Sequence, residues 1–404
     1  MAQVIGRRQY DERSSRIVQN VLPAIILVDE NINDAGFLAF FSKVPTLGTV
    51  QEKFSWDTDS FLKITDTVDG AVTGTTATTI QVDNPSYFNA GQLWQNSRTS
   101  EFYYIKSVNT STSNIEVTRA VTALNSSGGT AAAAINDADT LVMVAPVVGE
   151  TSSRQVSQTT TPSAVFNYAQ NFRWDLSMSD RQIKREFENN DEMPYQLQKQ
   201  LKEAQMALNR QFLIGERARY TDDEGQDVTI TTGIKPVISS YTWNTGGTLH
   251  EYDFDEFLVE EGLRKGSRDK VVFASTNFIL AISEMVKDRV EYTLPLGTKK
   301  SSVGIQVMQY QAPNGGRLMI VEDRFLSETQ NGTAIGVDMT QLRRRIFSNN
   351  GRSGDLRIIP NTEDPDDMGT VSTLAGDMGL QYGAEEHHFL ITGIQGGAKG
   401  RSIL

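Results

Sequence analysis

The clearest hydrophobic pattern in the chain is a single apolar stripe between Pro194 and Ile214. Its members recur at spacings of four and three residues: Leu197, Leu201, Ala204, Leu208 and Phe212. This period predicts a helix that packs along one side. Asn190 or Asp191 can cap its start, and Gly215 suits a left-handed residue just past its end. At about 1.5 Å per residue such a helix is roughly 30 Å long.

The other faces of this helix carry more glutamines than charged residues. These glutamines are Gln196, Gln198, Gln200, Gln205 and Gln211. Side-chain amides tolerate desolvation better than unpaired charges do, because each amide can donate and accept hydrogen bonds. Two interpretations stay open, a solvated face and a face that meets another protein.

Two segments with aromatic residues indicate the arms of one long β-hairpin. From Thr49 to Lys63 polar residues alternate with aromatic ones, including Trp56. From Val165 to Leu176 the aromatic residues share one parity, which predicts a strand with an aromatic face. These residues are Phe166, Tyr168, Phe172 and Trp174. We expect the two segments to pair as antiparallel strands.

Between the two arms the composition changes to Thr, Ala, Val, Asn and Gly. Short strand patterns separated by turn residues predict a small all-β module. The predicted strands are Thr79–Val82, Phe102–Val108, Ile115–Arg119 and Leu141–Val144. Residues 66–146 contain seven acidic and three basic side chains. We therefore expect the module to be acidic and exposed.

After the long helix, the order of elements predicts an α/β domain. The patterns indicate helices at Tyr252–Lys265 and from Ser275 or Thr276 to Val286, a strand at Val271–Ala274, and a hairpin with arms at Val303–Tyr310 and Leu318–Val321. The chain then passes through a turn-rich segment and returns through Leu380–Ile391. A glycine-rich segment, Gly393–Gly400, is predicted to be a flexible tail.

The first 35 residues predict an extended arm. Gly36–Phe41 is a compact apolar segment through which the arm can dock. The arm carries four arginines opposed only by Asp11 and Glu12. These arginines are Arg7, Arg8, Arg13 and Arg16. A position near nucleic acid and a solvated arm are both compatible with this charge.

Overall composition excludes several classes of function. The net charge of −12 argues against a dedicated nucleic-acid binder, whose affinity rests on phosphate neutralisation. The chain has no cysteine, so disulfides, thiolate metal sites and thiol nucleophiles are excluded. The longest apolar run, Val21–Val28, is far shorter than the ~20 residues of a membrane span. No apolar export segment follows Arg7 and Arg8, which favours a cytosolic protein without a membrane partner.

Candidate chemistry is sparse. His250, His387 and His388 are the only histidines. In a strand, Glu385–His388 would alternate between two faces, so at most two of the four side chains could converge on one ion, and we predict no metal site. Gly393–Gly400 resembles a phosphate loop, but Ala398 stands where glycine is required. We predict no catalytic residues, no cofactor and no enzymatic activity.

One basic run stands out in this acidic chain. Arg343, Arg344 and Arg345 are consecutive, so a strand would send Arg344 to one face and its neighbours to the other. Bidentate pairing with carboxylates of a neighbouring copy is one interpretation. Solvation of the run is the other.

The order of these elements resembles the major capsid proteins of tailed bacteriophages, in particular a branch with a β-barrel-like insertion in the hairpin. The matching local patterns are Trp56-Asp57-Thr-Asp59, Glu101 through Asn114-Ile-Glu-Val-Thr-Arg119, Asn167-Tyr168-Ala-Gln170, and Ile214-Gly215. The resemblance covers roughly the first 220 residues by pattern and the remainder by element order.

This resemblance implies an α+β phage major capsid fold. Its peripheral domain would be built on the long helix predicted between Pro194 and Ile214, which we call the spine helix. The implied parts are an N-terminal arm (1–45), an extended β-hairpin (46–65 and 147–178), a β insertion domain (66–146), a peripheral domain (179–235 and 351–404) and an axial α/β domain (236–350). The hairpin would lie over a neighbouring subunit and the arm would reach another. Candidate intersubunit contacts are Trp56, Asp57, Asp59, Trp174, Arg343, Arg344 and Arg345.

The implied function is a structural shell protein that assembles as hexamers and pentamers into an icosahedral capsid around double-stranded DNA. Its main partner would be itself, with scaffolding, portal and decoration proteins as further candidates and weak, non-specific contact with DNA. The virion, assembled in the host cytoplasm, would be its location. Two alternatives stay open. One is a tail or surface protein that binds a glycan or receptor through the β module, and the other is a glycoside hydrolase with two acidic residues facing each other across a cleft.

Overall fold

The computed structural model describes residues 36–124, 129–147, 149–150, 157–183, 192–286, 307–348, 354–360 and 368–398. Its helices are α1 Gly36–Phe41, α2 Asp180–Ile183, α3 Glu192–Ile214, α4 Glu251–Phe257, α5 Thr276–Val286 and α6 Arg324–Thr329. A π-helical turn, Leu258–Gly262, continues α4. Strands outnumber helices in this part of the chain, so the α+β class predicted from the sequence is confirmed.

The strands of the described residues are β1 Thr46–Thr49, β2 Lys53–Thr58, β3 Thr65–Thr67, β4 Thr79–Gln81, β5 Gln92–Asn96, β6 Phe102–Asn109, β7 Asn114–Thr118, β8 Thr140–Pro146, β9 Ser163–Tyr168, β10 Gln170–Ser179, β11 Ala218–Thr221, β12 Asp227–Ile230, β13 Thr242–His250, β14 Asp269–Ala274, β15 Val307–Gln311, β16 Arg317–Glu322, β17 Ala334–Val337, β18 Arg343–Phe347, β19 Arg357–Ile359, β20 Gly369–Gln381 and β21 Phe389–Ala398. The chain divides into two compact units. One combines Met1–Trp56 with Val165–Leu404, and the other is Asp57–Ala164.

The first unit contains two larger sheets. One has the strand order β1-β18-β20-β10, with β19 also paired to β20. The other has the order β13-β21-β17-β14-β16-β15. Strands β14 and β17 are buried almost throughout because the second sheet is covered on both faces, and their sequences are accordingly near-continuous apolar runs.

The long helix predicted from the apolar stripe is confirmed as α3, Glu192–Ile214. Ala204, Leu208 and Phe212 are buried, whereas the positions nearer its start are only half-buried. The caps predicted at Asn190 and Asp191 lie outside the described residues.

The left-handed ending predicted at Gly215 is wrong, because Gly215 is not among the residues with positive φ. Its N–H continues the helical pattern to the Gln211 carbonyl at 2.9 Å. Glycine is needed there for a different reason. A Cβ on Gly215 would lie 2.5 Å from the backbone carbonyl oxygen of Gln211.

The apolar segment Gly36–Phe41 forms α1 and is part of the core. Phe37 and Phe41 are buried, with Phe37 edge-on to Phe273 at 5.1 Å and Phe41 against Phe212 at 4.6 Å. Aromatic side chains of this size contribute strongly to a core. The start of the described chain is therefore fixed between α3 and β14.

The sheets differ from the predicted division at two places. Strand β18, assigned to the axial segment 236–350, pairs with β1 and β20. Strand β21, assigned to the peripheral segment 351–404, pairs with β13 and β17. Both pairings join residues far apart in sequence, which the order of elements along the chain does not specify.

The flexible tail predicted at Gly393–Gly400 is wrong as far as Ala398. These residues continue β21 in parallel with β13. A Cβ on Gly397 would lie 2.3 Å from the Ala281 carbonyl oxygen, so the glycine allows α5 to pack closely on the strand. Glycine here reflects close packing, not mobility.

The second unit contains a six-stranded antiparallel sheet with the order β3-β8-β5-β6-β7-β4. Beyond its two outer strands, a bridge joins Val68 to Val82, and the Asp83 N–H donates to the Thr67 carbonyl at 3.0 Å. These contacts close the sheet into a barrel around a core that includes Trp94 and Tyr103. The four strands predicted in this module are confirmed, whereas β3 and β5 were missed.

Candidate functional site

Strands β2 and β9 pair with each other in a two-stranded ribbon. The Thr58 hydroxyl donates to the Ser163 carbonyl at 3.3 Å, and the Ala169 N–H donates to the Glu52 carbonyl at 2.8 Å. These contacts join the two strands in antiparallel register, as predicted for the hairpin arms. The pairing of the returning arm with β2 ends at Tyr168, however, because the next strand, β10, pairs with β20.

Residues 59–64 continue from β2 and are exposed throughout. Three of them are large apolar residues: Phe61 is 98% exposed, Ile64 is 58% exposed and Leu62 is 42% exposed. Single exposed apolar residues are common, but a run of this kind marks an interaction site or an aggregation hazard.

The base of the ribbon is held by Trp56. Its indole N–H donates to the Gly383 carbonyl at 2.8 Å, and its ring meets Tyr382 edge-on at 4.9 Å. Phe54 stacks beside Trp56, with 6.1 Å between the ring centroids. The Arg345 guanidinium lies over the Phe54 ring, 5.6 Å from its centroid. The structure thus brings together two of the predicted contact residues, Trp56 and Arg345, around Phe54.

Phe166, on the other strand, lies between two cations. The Lys53 ammonium is 4.1 Å and the Arg217 guanidinium 3.9 Å from the ring centroid. Arg217 also donates to the Phe166 carbonyl at 2.5 Å. Cation–π contacts at partly exposed positions contribute about 0.5–1 kcal/mol each.

The root of the arm is fixed by a buried polar group, Asp323. Its carboxylate caps α6, accepting the Leu326 N–H at 3.3 Å, and it also accepts the Phe37 N–H at 3.3 Å. Asn209 of α3 donates to the same carboxylate at 3.0 Å and accepts the Leu38 N–H at 3.0 Å. Burial raises the pKa of Asp323. Three elements are therefore tied together where the arm begins.

The β module contains a charge pair that is buried. Glu101 is fully buried and forms two hydrogen bonds with Arg119, of 3.0 and 2.7 Å. The carboxylate also accepts the N–H groups of Ala120 and Ala133 at 3.2 and 3.1 Å. Residues that lie apart in the barrel are held by one buried charge pair.

A second pair joins Asp139, which is buried, to Arg98. The two hydrogen bonds measure 2.6 and 2.8 Å, and the Asn96 amide adds a third at 2.9 Å. The contact with Arg98 holds the pKa of Asp139 down at about 2. Sequence reasoning missed both pairs because the acidic and basic partners lie 18 and 41 residues apart.

The three consecutive arginines all have partners in their own chain. Arg343 donates to the carbonyls of Thr340 and Leu342, both at 2.7 Å. Arg345 donates to the Gln381 side chain at 2.8 Å. Arg344 reaches Thr46 at 3.3 Å and Asp355 at 3.4 Å. Their predicted contact with a neighbouring copy stays a prediction.

The other predicted contact residues are separated. Asp57 and Asp59 are exposed on or just beyond β2. Trp174 lies in β10, opposite Leu374, and stacks on Phe172 at 6.0 Å. The part of the predicted returning arm that contains Trp174 therefore pairs with β20 and not with β2. Arg7, Arg8, Arg13 and Arg16 lie outside the described residues.

His388, the second histidine of the pair near the C-terminus, is buried and hydrogen-bonded. Glu385–His387 is a 3₁₀ helix instead of the strand considered above. His388 accepts the Asp338 N–H through Nδ1 at 3.2 Å and contacts the Tyr382 carbonyl through Nε2 at 2.8 Å. Burial lowers the pKa of His388 to about 4, so the ring is neutral at pH 7.

Two searches for other kinds of site were negative within the described parts of the chain. No cluster of three or more His, Asp or Glu side chains there could hold a metal ion. None of the helices in those segments is long and apolar enough to span a bilayer.

Comparison with protein families gives one match over nearly the whole chain. A family model described as the SU10 major capsid protein matches residues 25–395. No curated protein matches the sequence. Neither comparison supports the tail, receptor-binding or hydrolase alternatives.

Several solved structures also match this chain, at TM-scores below 0.5. The structure of Mycobacterium phage Bobi is 8% identical, with 98% of this chain and 100% of that chain covered at a TM-score of 0.48. The capsid of a native GTA particle is 8% identical in sequence, with 98% of this chain and 100% of that chain covered at a TM-score of 0.47. The encapsulin complex of Synechococcus elongatus PCC 7942 is 9% identical in sequence, with 60% of this chain and 81% of that chain covered at a TM-score of 0.40. Similarities of this size do not establish the fold by themselves, and the family match carries the assignment.

Proposed function

The chain belongs to the family of SU10 major capsid proteins, and from this premise we propose how its copies build a shell. It is a structural capsid protein, and its principal partner is itself. We propose that the copies form hexamers and pentamers and close into an icosahedral shell around double-stranded DNA. The net charge of −12 suits a wall that must not grip packaged DNA tightly.

The observation that best supports the proposal is the exposed run after β2. Phe61, Leu62 and Ile64 have little cover from their own chain. Ordering a segment costs roughly 1–2 kcal/mol per residue in backbone entropy, so an exposed ribbon needs contacts elsewhere to offset that cost. In our proposal a neighbouring copy supplies these contacts, and the residues of the exposed run lie in the interface between the two copies.

Predicted contact residues enter the proposal with different weights. Asp57 and Asp59 are exposed beside the apolar run and are proposed to face cations of a neighbour. Trp56, Trp174 and Arg343–Arg345 already have partners in their own chain, so we propose that they position the ribbon and sheet and contribute only their exposed edges to an interface. The arm, with Arg7, Arg8, Arg13 and Arg16, is proposed to reach a further subunit.

The finer division of labour follows the same logic. We propose that α3 with the β20 sheet forms the peripheral part, the β14 sheet the axial part near the capsomer centre, and the β barrel an outward module open to a decoration protein. Assembly in the host cytoplasm, contact with scaffolding and portal proteins, and the absence of catalytic activity belong to this proposal.

Expression of the full chain tests the proposal. Size-exclusion chromatography followed by negative-stain microscopy should show closed shells or six-fold rings. A matched variant that begins at Gly36 keeps α1 and its core contacts, and should remain folded while assembling poorly. A compact monomer that never assembles would contradict the proposal, and normal shells from the shortened chain would contradict the role of the arm.

A further inference from the structure

The returning arm of the hairpin changes partner at a single corner. Strand β9 pairs with β2 through Tyr168, Ala169 lies outside both strands, and β10 begins at Gln170 and pairs with β20. A strand that moves from one ladder to another leaves backbone groups without ladder partners at the point of change. The structure shows how these groups are satisfied.

Asn167 lies at this corner and is fully buried. Its amide nitrogen donates to the Leu380 carbonyl at 2.7 Å and to the Thr231 hydroxyl at 3.1 Å. Its amide oxygen accepts the N–H of Tyr168 at 2.8 Å and that of Thr232 at 3.0 Å. Both donors and both acceptor positions of the amide are used, so the side chain has one orientation.

The segment after β12 closes the corner from the other side. The Thr229 hydroxyl donates to the Ala169 carbonyl at 2.6 Å, and the Thr231 N–H donates to the Gln170 side chain at 3.2 Å. The Thr231 hydroxyl also accepts the Leu380 N–H at 3.3 Å. One threonine therefore links the corner to β20.

The same segment is attached to the end of the long helix. The Gln211 side chain donates to the Thr231 carbonyl at 2.8 Å, and the Gly233 N–H donates to the Gly215 carbonyl at 2.6 Å. A continuous series of hydrogen bonds thus runs from the C-terminal end of α3 through Thr231 to Asn167. Fully satisfied buried networks of this kind specify one geometry.

We propose that Asn167 and Thr231 are positioning residues for assembly: they fix the direction in which the β2–β9 ribbon starts from the corner, and they couple that direction to the end of α3. The inference rests on the proposed function, because the ribbon direction matters only if the ribbon meets a neighbouring copy. A purely structural role would instead affect subunit stability alone.

Paired substitutions separate the two roles. Thr231→Val removes the hydroxyl at nearly constant volume, and Thr231→Ser keeps the hydroxyl while removing the methyl group. Asn167→Asp is a second variant that keeps the acceptor oxygen and loses the donor to Leu380. For each purified variant, thermal unfolding reports subunit stability, and negative-stain particle counts at equal folded concentration report assembly.

Thr231→Val and Asn167→Asp are expected to reduce closed particles of wild-type diameter by at least about fivefold, since an error in subunit geometry repeats at every contact of a symmetric assembly. Thr231→Ser should assemble as wild type, although it loses core methyl contacts. If Thr231→Val and Asn167→Asp both fold and both give wild-type particle counts, the inference is overturned. The proposed capsid function would be unaffected by that result. A wild-type chain that forms no particles would instead contradict the proposed function.

Hydrogen exchange on the wild-type subunit decides the case where neither variant folds. The amides of Tyr168, Thr232 and Leu380 should then exchange together and slowly, as one cooperative group. Fast or unrelated exchange at these three amides would show that the corner is not fixed and would overturn the inference.

Discussion

Strand β17 and the run after β2 treat apolar residues in opposite ways. Every residue of β17 is buried, including Ile335 and Val337, whereas residues 59–64 are all exposed and include Phe61 at 98%. The apolar residues of β17 are covered by their own chain. Those of the exposed run have much less such cover, and in our proposal a neighbouring copy covers them.

Removal of a large side chain from the self-covered region should have the largest effect on stability. Phe273 lies in β14, fully buried, with Phe37 and Phe40 edge-on at 5.1 and 5.9 Å. Phe273→Ala should lower the free energy of unfolding by about 3–5 kcal/mol because it leaves a cavity and frees the root of the arm. Chemical denaturation measures the loss, with Phe273→Leu as the smaller control. A loss below about 1 kcal/mol would show that α1 and β14 are not packed as described.

The β barrel offers the next largest effect through its buried charge pair. Glu101→Gln leaves Arg119 buried without its carboxylate partner and should cost about 3–5 kcal/mol in barrel stability. The double variant Glu101→Met with Arg119→Met should recover part of that loss, because no unpaired charge then remains, although the N–H groups of Ala120 and Ala133 lose their acceptor. Thermal unfolding of both variants checks this. Equal stability of the single variant and wild type would contradict the buried pairing.

Acid should weaken the first unit through His388. Its folded pKa is lowered to about 4 from an ordinary 6.5, so the unfolded chain binds a proton first as the pH falls. Stability should therefore be fully present above pH 6.5 and should fall towards pH 4, by an amount on the order of 3 kcal/mol. The titratable groups that act on the His388 ring are Lys270, Asp338 and His387.

Denaturation curves across this pH range measure the effect, with His388→Gln as the comparison. The variant should be less stable at pH 7 but should lose less stability on acidification. A parallel loss in variant and wild type would assign the acid sensitivity to other groups.

A smaller effect is expected where the ribbon begins. Trp56→Phe removes the hydrogen bond to the Gly383 carbonyl but keeps an aromatic ring against Tyr382. The expected cost is about 0.5–1.5 kcal/mol. Trp56→Ala is the harsher comparison, since it removes the ring contact as well. Hydrogen exchange in residues 53–58 should rise more than in β14, and equal protection in both variants would contradict the anchoring role.

The sequence predicted those parts of the fold that depend on local patterns. The stripe of α3 and the short strands β4, β6, β7 and β8 follow from periodicity and turn residues. The pairing of β18 with β20 and of β21 with β13 could not be predicted this way, because it joins distant residues. Gly397 was misinterpreted because close packing and mobility both favour glycine.

The candidate site was predictable only in part, for a related physical reason. The pairing of the two arms, seen between β2 and β9, was predicted from the sequence. The anchoring groups were not, because Asn167, Asn209 and Glu101 are polar residues whose burial is paid back by partners far along the chain. Isolated Asn or Glu residues in a polar chain give no signal of such partners, and family motifs around Asn167 and Glu101 were the only pointers.

The most direct test of the central claim is particle formation by a chain carrying Phe61→Ser and Leu62→Ser. Both side chains are exposed in the subunit, so its stability should stay within about 0.5 kcal/mol of wild type. The number of closed particles at equal folded concentration should fall by at least about tenfold, as expected when central interface residues are removed. Exposed Tyr220→Ser, in β11, is the matched control and should assemble normally. Wild-type particle counts from the double variant would contradict the claim that the exposed run is covered by a neighbouring copy.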